Sequence, residues 1–304
     1  MVQFEQKKRI ISERILFMNL CDIKTVRDIM KAFHLEFKKE FGQNFLTDKT
    51  VVEEIADACC CRQSNTILEI GPGIGTLTRE LCERYTNVVA YEIDRNLVPV
   101  LKYTLGEYDN VKIINEDIMK ADLAGTLSEF MSGGVSVCAN LPYYITTPIL
   151  MMLLESRIPF DFITIMIQSE VADRLCAQPG KSQYGAITAA LNYYGTAEKL
   201  LCVPASSFIP APKVNSTVVR IQLYKESPYR PDDEALMFRV IRAAFEQRRK
   251  TLVNALSNGL SGFDKETILD AILSLGLRED IRGEKLSIEE FIDLANALKK
   301  HERP

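Results

Sequence analysis

The chain has 304 residues, of which 47% are hydrophobic and 26% charged, with a formal net charge of −4. That composition supports a sizeable core in one large domain, or one large and one small, and excludes wholesale disorder. No stretch reaches the ~18 uninterrupted apolar residues of a membrane span. The opening MVQFEQKKRIISERIL mixes charges of both signs and has no apolar core of a secretory signal, so a soluble cytoplasmic protein is expected.

Residues 1–23 suggest no role and are set aside as an extension, with Met18 a candidate natural start. KTVRDIMKAFHLEFKK (24–39) reads as a basic amphipathic helix that breaks at Gly42, and DKTVVEEIADACCC (48–61) as a helix opened by an Asp cap. Short β-rich runs then alternate with helices. Strands are predicted at 66–70, 87–94, 111–118, 135–140 and 162–168. Helices are predicted at 76–85, from Asp94, and at 148–156, 169–175 and 182–194.

KLLCVP (199–204) and STVVRIQLY (216–224) follow without a helical crossover and read as an antiparallel addition at the sheet edge. The pattern is that of an α/β fold with a doubly wound, Rossmann-like, mostly parallel sheet covered on both faces. KESPYRPDDE (225–234) reads as a linker. It divides a main domain over 24–228 from a small all-α domain over 229–304.

The eight cysteines contain no C-x-x-C pair, and the only histidines are His34 and His301. Metal-ligand spacing is missing, so no metal is expected and the cysteines read as buried thiols. The same scarcity argues against Ser–His or Cys–His nucleophilic chemistry. Any catalysis has to work without imidazole.

EIGPGIGTLT (69–78) joins a strand to a helix through Gly71, Gly73 and Gly75, with no lysine to make it a P-loop. Glu92 closes the next strand, where a carboxylate can accept two hydrogen bonds from a ribose diol. Asp117 closes the third and can take the exocyclic amine of an adenine. Three such strand ends describe a nucleoside site without a pyrophosphate grip. S-adenosylmethionine suits it, with NAD the alternative.

The fourth strand ends in Asn140, Leu141, Pro142 and Tyr143. An adenine N6 amine is a poor nucleophile because its lone pair is delocalised into the ring. The Asn140 side-chain oxygen and the Leu141 carbonyl can accept its two N–H bonds and free electron density on nitrogen. Pro142 stiffens the turn, and Tyr143 offers a stacking face for the base. The plain alternative is an Asn-Leu-Pro turn with both tyrosines in the core. Tyr144 reads as support for the site or as core. RVIRAAFEQRRK (239–250) concentrates five basic residues against Glu246, the local footprint of a phosphate contact.

Taken together, FGQNFL (41–46), EIGPGIGTLT, the strands ending at Glu92 and Asp117, NLPYYITTP, FIPAPKVNSTVVR (208–220) and AAFEQRRKTLVNAL (243–256) are specific. They resemble the small-subunit ribosomal RNA adenine N6,N6-dimethyltransferase family, the KsgA/RsmA family, from about residue 24 to the C-terminus. The resemblance implies a class I S-adenosylmethionine-dependent methyltransferase sheet, with donor contacts at Asn44, Leu46, Gly71, Glu92, Asp117 and Asn140. It implies that FGQNFL folds over the donor as a lid, that Tyr143 and Phe208 hold the base from two sides, and that the C-terminal domain meets rRNA, with Arg248, Arg249 and Lys250 as contacts.

The implied substrate is a pair of adjacent adenosines in the loop of the 3′-terminal helix of 16S rRNA, dimethylated within the assembling small ribosomal subunit by a monomer. Leu141, in place of a second proline, leaves room for a monomethylated amine to rebind. A non-catalytic or dual-role assembly factor and a 23S rRNA adenine methylase of the resistance type are the alternatives.

Overall fold

The computed structural model describes residues 18–37, 43–59 and 65–301. Phe41 and Gly42 of the expected lid, and the ends of the two helices expected at 24–39 and 48–61, lie outside them. The described residues divide into two compact units, those up to 172 with 198–223, and 173–197 with those from 224 onwards.

The first unit is built on a seven-stranded sheet with order β4-β3-β2-β5-β6-β9-β7. In chain order, β2 is Thr66–Ile70, β3 Asn87–Tyr91, β4 Val111–Ile114 and β5 Val135–Asn140. They are followed by β6 Ile163–Gln168, β7 Gly195–Val203 and β9 Ser216–Leu223. Pairs β2–β3, β3–β4, β2–β5 and β5–β6 are parallel, and β9 runs antiparallel to β6. β7 is the outer edge strand, so the predicted antiparallel edge is present.

Every residue of β2 is buried, as are the first five of β5 and of β6. Burial on both faces explains why these strands read as apolar runs and not as alternating patterns. The strands expected at 87–94 and 111–118 end sooner, at Tyr91 and Ile114. Their polar tails, Glu92 to Asp94 and Asn115 to Asp117, run on past the ladder. The helices are α1 Ile23–Ala32, α2 Lys49–Cys59, α3 Thr76–Arg84, α4 Val98–Thr104, the short α5 Leu123–Leu127 and α6 Thr146–Glu155, with α7 Ser169–Leu175 following β6.

Helix α1 stops well before residue 39 because His34 takes a left-handed φ of 54°. The Leu35 and His34 N–H groups then turn back onto the carbonyls of Met30 and Lys31. The assignment of 1–23 as one extension also needs revision. Leu20 is buried with Val26, Ile29 and Met30 of α1 against Phe45, Ile74, Leu97 and Val100. The Met18 carbonyl accepts a 2.7 Å bond from Arg79, whose other amino group pairs with Glu107.

FGQNFL contributes a two-residue strand, β1 (Phe45–Leu46), paired antiparallel with β8 (Phe208–Ile209). The Thr47 N–H extends that pairing to the Ser207 carbonyl at 2.8 Å. The Ser207 hydroxyl donates to Asp48 at 3.1 Å. This part of the expected lid is therefore stitched to the body of the unit.

The second unit contains α8 Ala186–Tyr194, α9 Glu234–Glu246, α10 Leu252–Gly259, α11 Lys265–Ser274 and α12 Ile288–Lys299. Its composition corrects the boundary expected near 229, because residues 173–197 group with it. The reason is aromatic packing: Tyr193 and Tyr194 of α8 lie 5.5 and 5.9 Å from the Phe238 ring of α9. Gly283 fits directly against Ala244, where an added Cβ would approach within 2.8 Å.

Leu20→Ala tests the revised N-terminal assignment. Truncating a buried leucine is expected to lower unfolding free energy by about 2–4 kcal/mol, read from urea midpoints. A change below about 0.5 kcal/mol, the range of an ordinary surface substitution, would return 18–22 to a segment without a role.

Candidate active site

The carboxyl ends of β2, β3, β4 and β5 open into one cleft enclosing about 1140 Å³, its mouth included. Its position follows from topology. The chain builds outward from β2 through β3 to β4, then returns to the other side of β2 with β5. That reversal leaves a crevice above the strand ends, where open α/β sheets bind ligands. Asn44, Leu46, Gly71, Glu92, Asp117, Asn140, Leu141, Pro142, Tyr143 and Phe208 all line it. The residues singled out as donor contacts and as acceptors of the base thus meet in one place.

The glycine turn makes up one wall. Gly71, Gly73 and Gly75 have φ of 76°, 63° and 89°, the left-handed region that a side chain strains to adopt. Space matters at Gly73 too, where a Cβ would come within 2.9 Å of the Phe45 ring. The Gly71 N–H bonds the Tyr91 carbonyl at 3.0 Å, and the Thr104 hydroxyl of α4 supports the Ile74 carbonyl at 2.8 Å. Gly75 is the N-cap of α3, which therefore starts without a side-chain cap.

Glu92 is buried, and its two carboxylate oxygens accept from the main-chain N–H groups of Asp94 (2.9 Å) and Gly73 (3.1 Å). Burial pushes its pKa up to about 7, against the pull of those same hydrogen bonds. Each oxygen keeps a lone pair for a further donor, the requirement for holding a diol. At Asp117, one oxygen caps the turn after β4 through the Met119 N–H at 3.0 Å. The other has a 4.0 Å ion pair with exposed Lys120.

Asn140 ends β5, and its side-chain nitrogen donates to the Asn44 carbonyl at 3.4 Å. That bond turns the amide so that nitrogen is occupied and oxygen is the acceptor left to the cleft. The following turn is closed by Ile145 N–H to the Pro142 carbonyl at 3.1 Å, with the Thr146 hydroxyl on the same carbonyl at 3.2 Å. The Tyr143 hydroxyl meets that of Ser216 at 2.9 Å. Phe208 is 5% exposed and lines the cleft from β8. Tyr144 fits neither of its expected places: it is 64% exposed, on the cleft's rim.

Two residues of the cleft escaped the sequence reading. Glu69 is fully buried within β2, its Oε2 has no hydrogen bond, and burial raises its pKa to about 8. The neighbouring Thr78 hydroxyl draws that value back and the Glu92 charge pushes it further up. A charge inside the otherwise apolar TILEI was the signal. Thr76, first residue of α3, also turns a buried, unpartnered hydroxyl to the cleft. Orphaned polar atoms beside half-used carboxylates match a ligand with hydroxyl, amine and amino-acid groups, as S-adenosylmethionine has.

Among the described residues, no group of three His, Cys, Asp or Glu side chains is arranged to hold a metal ion. No helix among them is long and apolar enough to cross a membrane. In the helical unit, one guanidinium nitrogen of Arg248 donates to the Ser182 and Tyr184 carbonyls at 2.8 and 3.0 Å and lies 3.4 Å from Glu284. One nitrogen of Arg248 is thus tied into its own unit while the side chain stays 43% exposed, so the expected phosphate contact shares this residue with a structural role. Arg249 and Lys250 are exposed.

A Rossmann-like sheet with this glycine turn, two acids at successive strand ends and an Asn-Leu-Pro-Tyr turn defines a class I S-adenosylmethionine-dependent methyltransferase. The family model for ribosomal RNA adenine dimethylase matches residues 34–300. A relative from Alkaliphilus metalliredigens, named ribosomal RNA small subunit methyltransferase A, is 47% identical over 271 residues, 89% of this chain and 94% of its own. One of the same name from Bacillus mycoides is 47% identical over 279 residues, 90% and 96% of the two chains.

In fold, the chain is similar to a dimethyladenosine transferase from Plasmodium falciparum (TM-score 0.72, 24% identity, 84% of this chain and 98% of that one). It is also similar to the 23S rRNA methyltransferase ErmE (TM-score 0.64, 24% identity, 84% and 100%). The chain belongs to the ribosomal RNA adenine dimethylase family and is an S-adenosylmethionine-dependent enzyme that methylates rRNA.

The raised pKa of Glu92 sets a pH dependence. A protonated carboxyl gives up one of its acceptor positions, so donor affinity is expected to climb as pH rises through about 7. From pH 6 to pH 8 the gain approaches about tenfold. Calorimetric titration of the donor at both pH values checks it, with Glu92→Gln expected to bind weakly and without that step. Equal affinities for the unaltered protein at pH 6 and 8 would remove Glu92 from the diol.

Proposed function

We propose that this protein transfers methyl groups to the N6 amines of two adjacent adenosines in the loop of the 3′-terminal helix of 16S rRNA, two to each. We place the reaction within the assembling small subunit, carried out by a monomer in the cytoplasm. The observation that carries this reading is the orientation of Asn140: its nitrogen is held by the Asn44 carbonyl and its oxygen is left for the cleft. The names of the 47%-identical relatives support the small subunit over the large.

In this reading Glu92 holds the ribose diol of S-adenosylmethionine and Asp117 its adenine amine. Leu46, Gly71 and the main chain at Asn44 line the remainder of the donor's site. The donor supplies a methyl group on a sulfonium, a good leaving group that needs no acid to depart. Asn140 Oδ1 and the Leu141 carbonyl accept hydrogen bonds from the N–H groups of the target amine, drawing nitrogen towards the geometry of a nucleophile, and the proton that nitrogen sheds once methylated passes to solvent. Tyr143 and Phe208 hold the base between them. Rate then comes from position and fixed dipoles, and the absence of imidazole from the cleft is no obstacle.

A loop substrate suits this site, since a base is unstacked there at least expense. Arg249 and Lys250 of the helical unit are proposed to meet phosphates.

Nucleotide mapping of small subunits from cells lacking this gene, before and after treatment with protein and donor, tests the reading. Two dimethylated adenosines are expected in the 3′-terminal loop; methylation confined to the large subunit would overturn it. Asn140→Ala is expected to lower turnover by at least about a hundredfold, the scale of losing one oriented dipole at a reacting centre. For the phosphate contacts, Arg249→Ala with Lys250→Ala is expected to flatten the salt dependence of subunit binding by roughly two. An unchanged slope would return both to a solvated turn.

A further inference from the structure

The turn that carries the acceptor groups holds two tyrosines that the fold treats in opposite ways. Tyr143 is half-buried, its hydroxyl pinned by Ser216 at 2.9 Å. Tyr144, the next residue, is 64% exposed, the most exposed aromatic ring among the described residues. It lines the same cleft, at its rim. Its backbone is not free to swing, because the Ile145 N–H closes the turn on the Pro142 carbonyl and Thr146 holds that carbonyl from the other side.

A large ring in that position leaves in water apolar surface that burial would remove from it. Of the other tyrosines, Tyr103 is exposed to a lesser degree, at 36%, and the rest are buried or partly covered. An aromatic face kept in solvent at the mouth of a cleft, on a rigid turn, is the arrangement by which proteins stack single-stranded bases.

We propose that Tyr144 is a substrate-binding residue that stacks the nucleotide next to the one in the pocket. The inference rests on the reading of the cleft as an adenine site and specifies how the strand is held around it. Tyr143 and Tyr144 are consecutive residues, with Cα atoms about 3.8 Å apart as across any trans peptide, and both line the one cleft. One receives the base undergoing methylation, and the other supports its neighbour as that neighbour is parted from it. In a substrate with two adjacent target adenosines, the one outside the pocket rests on Tyr144, and the two exchange places between rounds. The ring, and not the phenolic hydroxyl, does this.

The test compares Tyr144→Ala, Tyr144→Phe and the unaltered protein on ribosomal subunits from cells lacking the gene. Each is assayed with whichever subunit the unaltered protein methylates, so that finding the large subunit would overturn the proposed substrate without touching this comparison. Stacking of one base is worth about 1–3 kcal/mol, so the alanine variant is expected to raise the subunit KM at least about fivefold. Its kcat and its donor Kd are expected to stay within about twofold, and the phenylalanine variant to match the unaltered protein. A KM unchanged in the alanine variant overturns the proposal. So does a donor Kd that weakens in parallel, which would make the ring a cover for the donor, or a phenylalanine variant as impaired as alanine.

Discussion

The parallel register of β2 with its two neighbours governs everything the cleft can do. Ile70 lies opposite both Tyr91 and Ala139, so Gly71, Glu92 and Asn140 leave the sheet at one level. Tyr91 in turn lies opposite Ile114, which brings Asn115 to Asp117 to the same edge. Since side chains alternate along a strand, a slip by one residue would reverse every face and separate the acids from the amide. Burial of β2, β5 and β6 on both faces gives the register its strength, because no slipped pairing keeps the same packing. Cross-links beyond the ladder, such as Asn115 to the Glu92 carbonyl at 2.6 Å, lock the strand ends themselves.

Holding acids at those ends has a consequence for stability. Folding raises Glu69 to about 8 and Glu92 to about 7, from an ordinary value of 4.5. The folded, donor-free protein therefore holds protons that the unfolded chain releases as pH rises above 4.5. Its stability declines across the interval from there to about 7–8, and the decline is complete above it. The main-chain N–H groups on Glu92 reduce the loss without cancelling it. A cationic ligand with hydroxyl and ammonium donors reverses the balance, since it favours the ionised carboxylates. Affinity for such a ligand and strain in its absence have one origin.

How much of this was legible in the chain depended on whether the signal was local. The strand ends at Gly71, Glu92, Asp117 and Asn140 could be read because each is a polar break after a short apolar run. The parallel sheet could be read because helices separate those runs. The pairing of β1 with β8 could not: two-residue strands have no periodicity, and Leu46 and Phe208 are joined only by the fold. Leu20 was missed because its partners Ile74 and Val100 lie far along the chain. Arg248 looked like its exposed neighbours Arg249 and Lys250, since nothing in QRRK says which guanidinium turns back onto Ser182 and Tyr184. Residues 173–197 were given to the wrong unit for the same reason: the aromatic partner of Tyr193 and Tyr194 is Phe238, beyond the linker that seemed to end the domain.

The Asn-Leu-Pro-Tyr turn shows why such a motif has limited meaning by itself. Asn140 is aimed by the Asn44 carbonyl, which reaches it because β1 is paired to β8. Pro142 is held by Thr146 at the start of α6, and Tyr143 by Ser216 at the start of β9. The chain brings three separate segments to bear on four residues, and β9 is placed by its antiparallel pairing with β6. Fixed dipoles accelerate a reaction only if they are already in place when charge develops. The acceptor geometry at Asn140 and Leu141 is therefore a property of the whole sheet unit. The same four residues in a loop without those three anchors would have the chemical groups and lack the preorganisation that makes them useful.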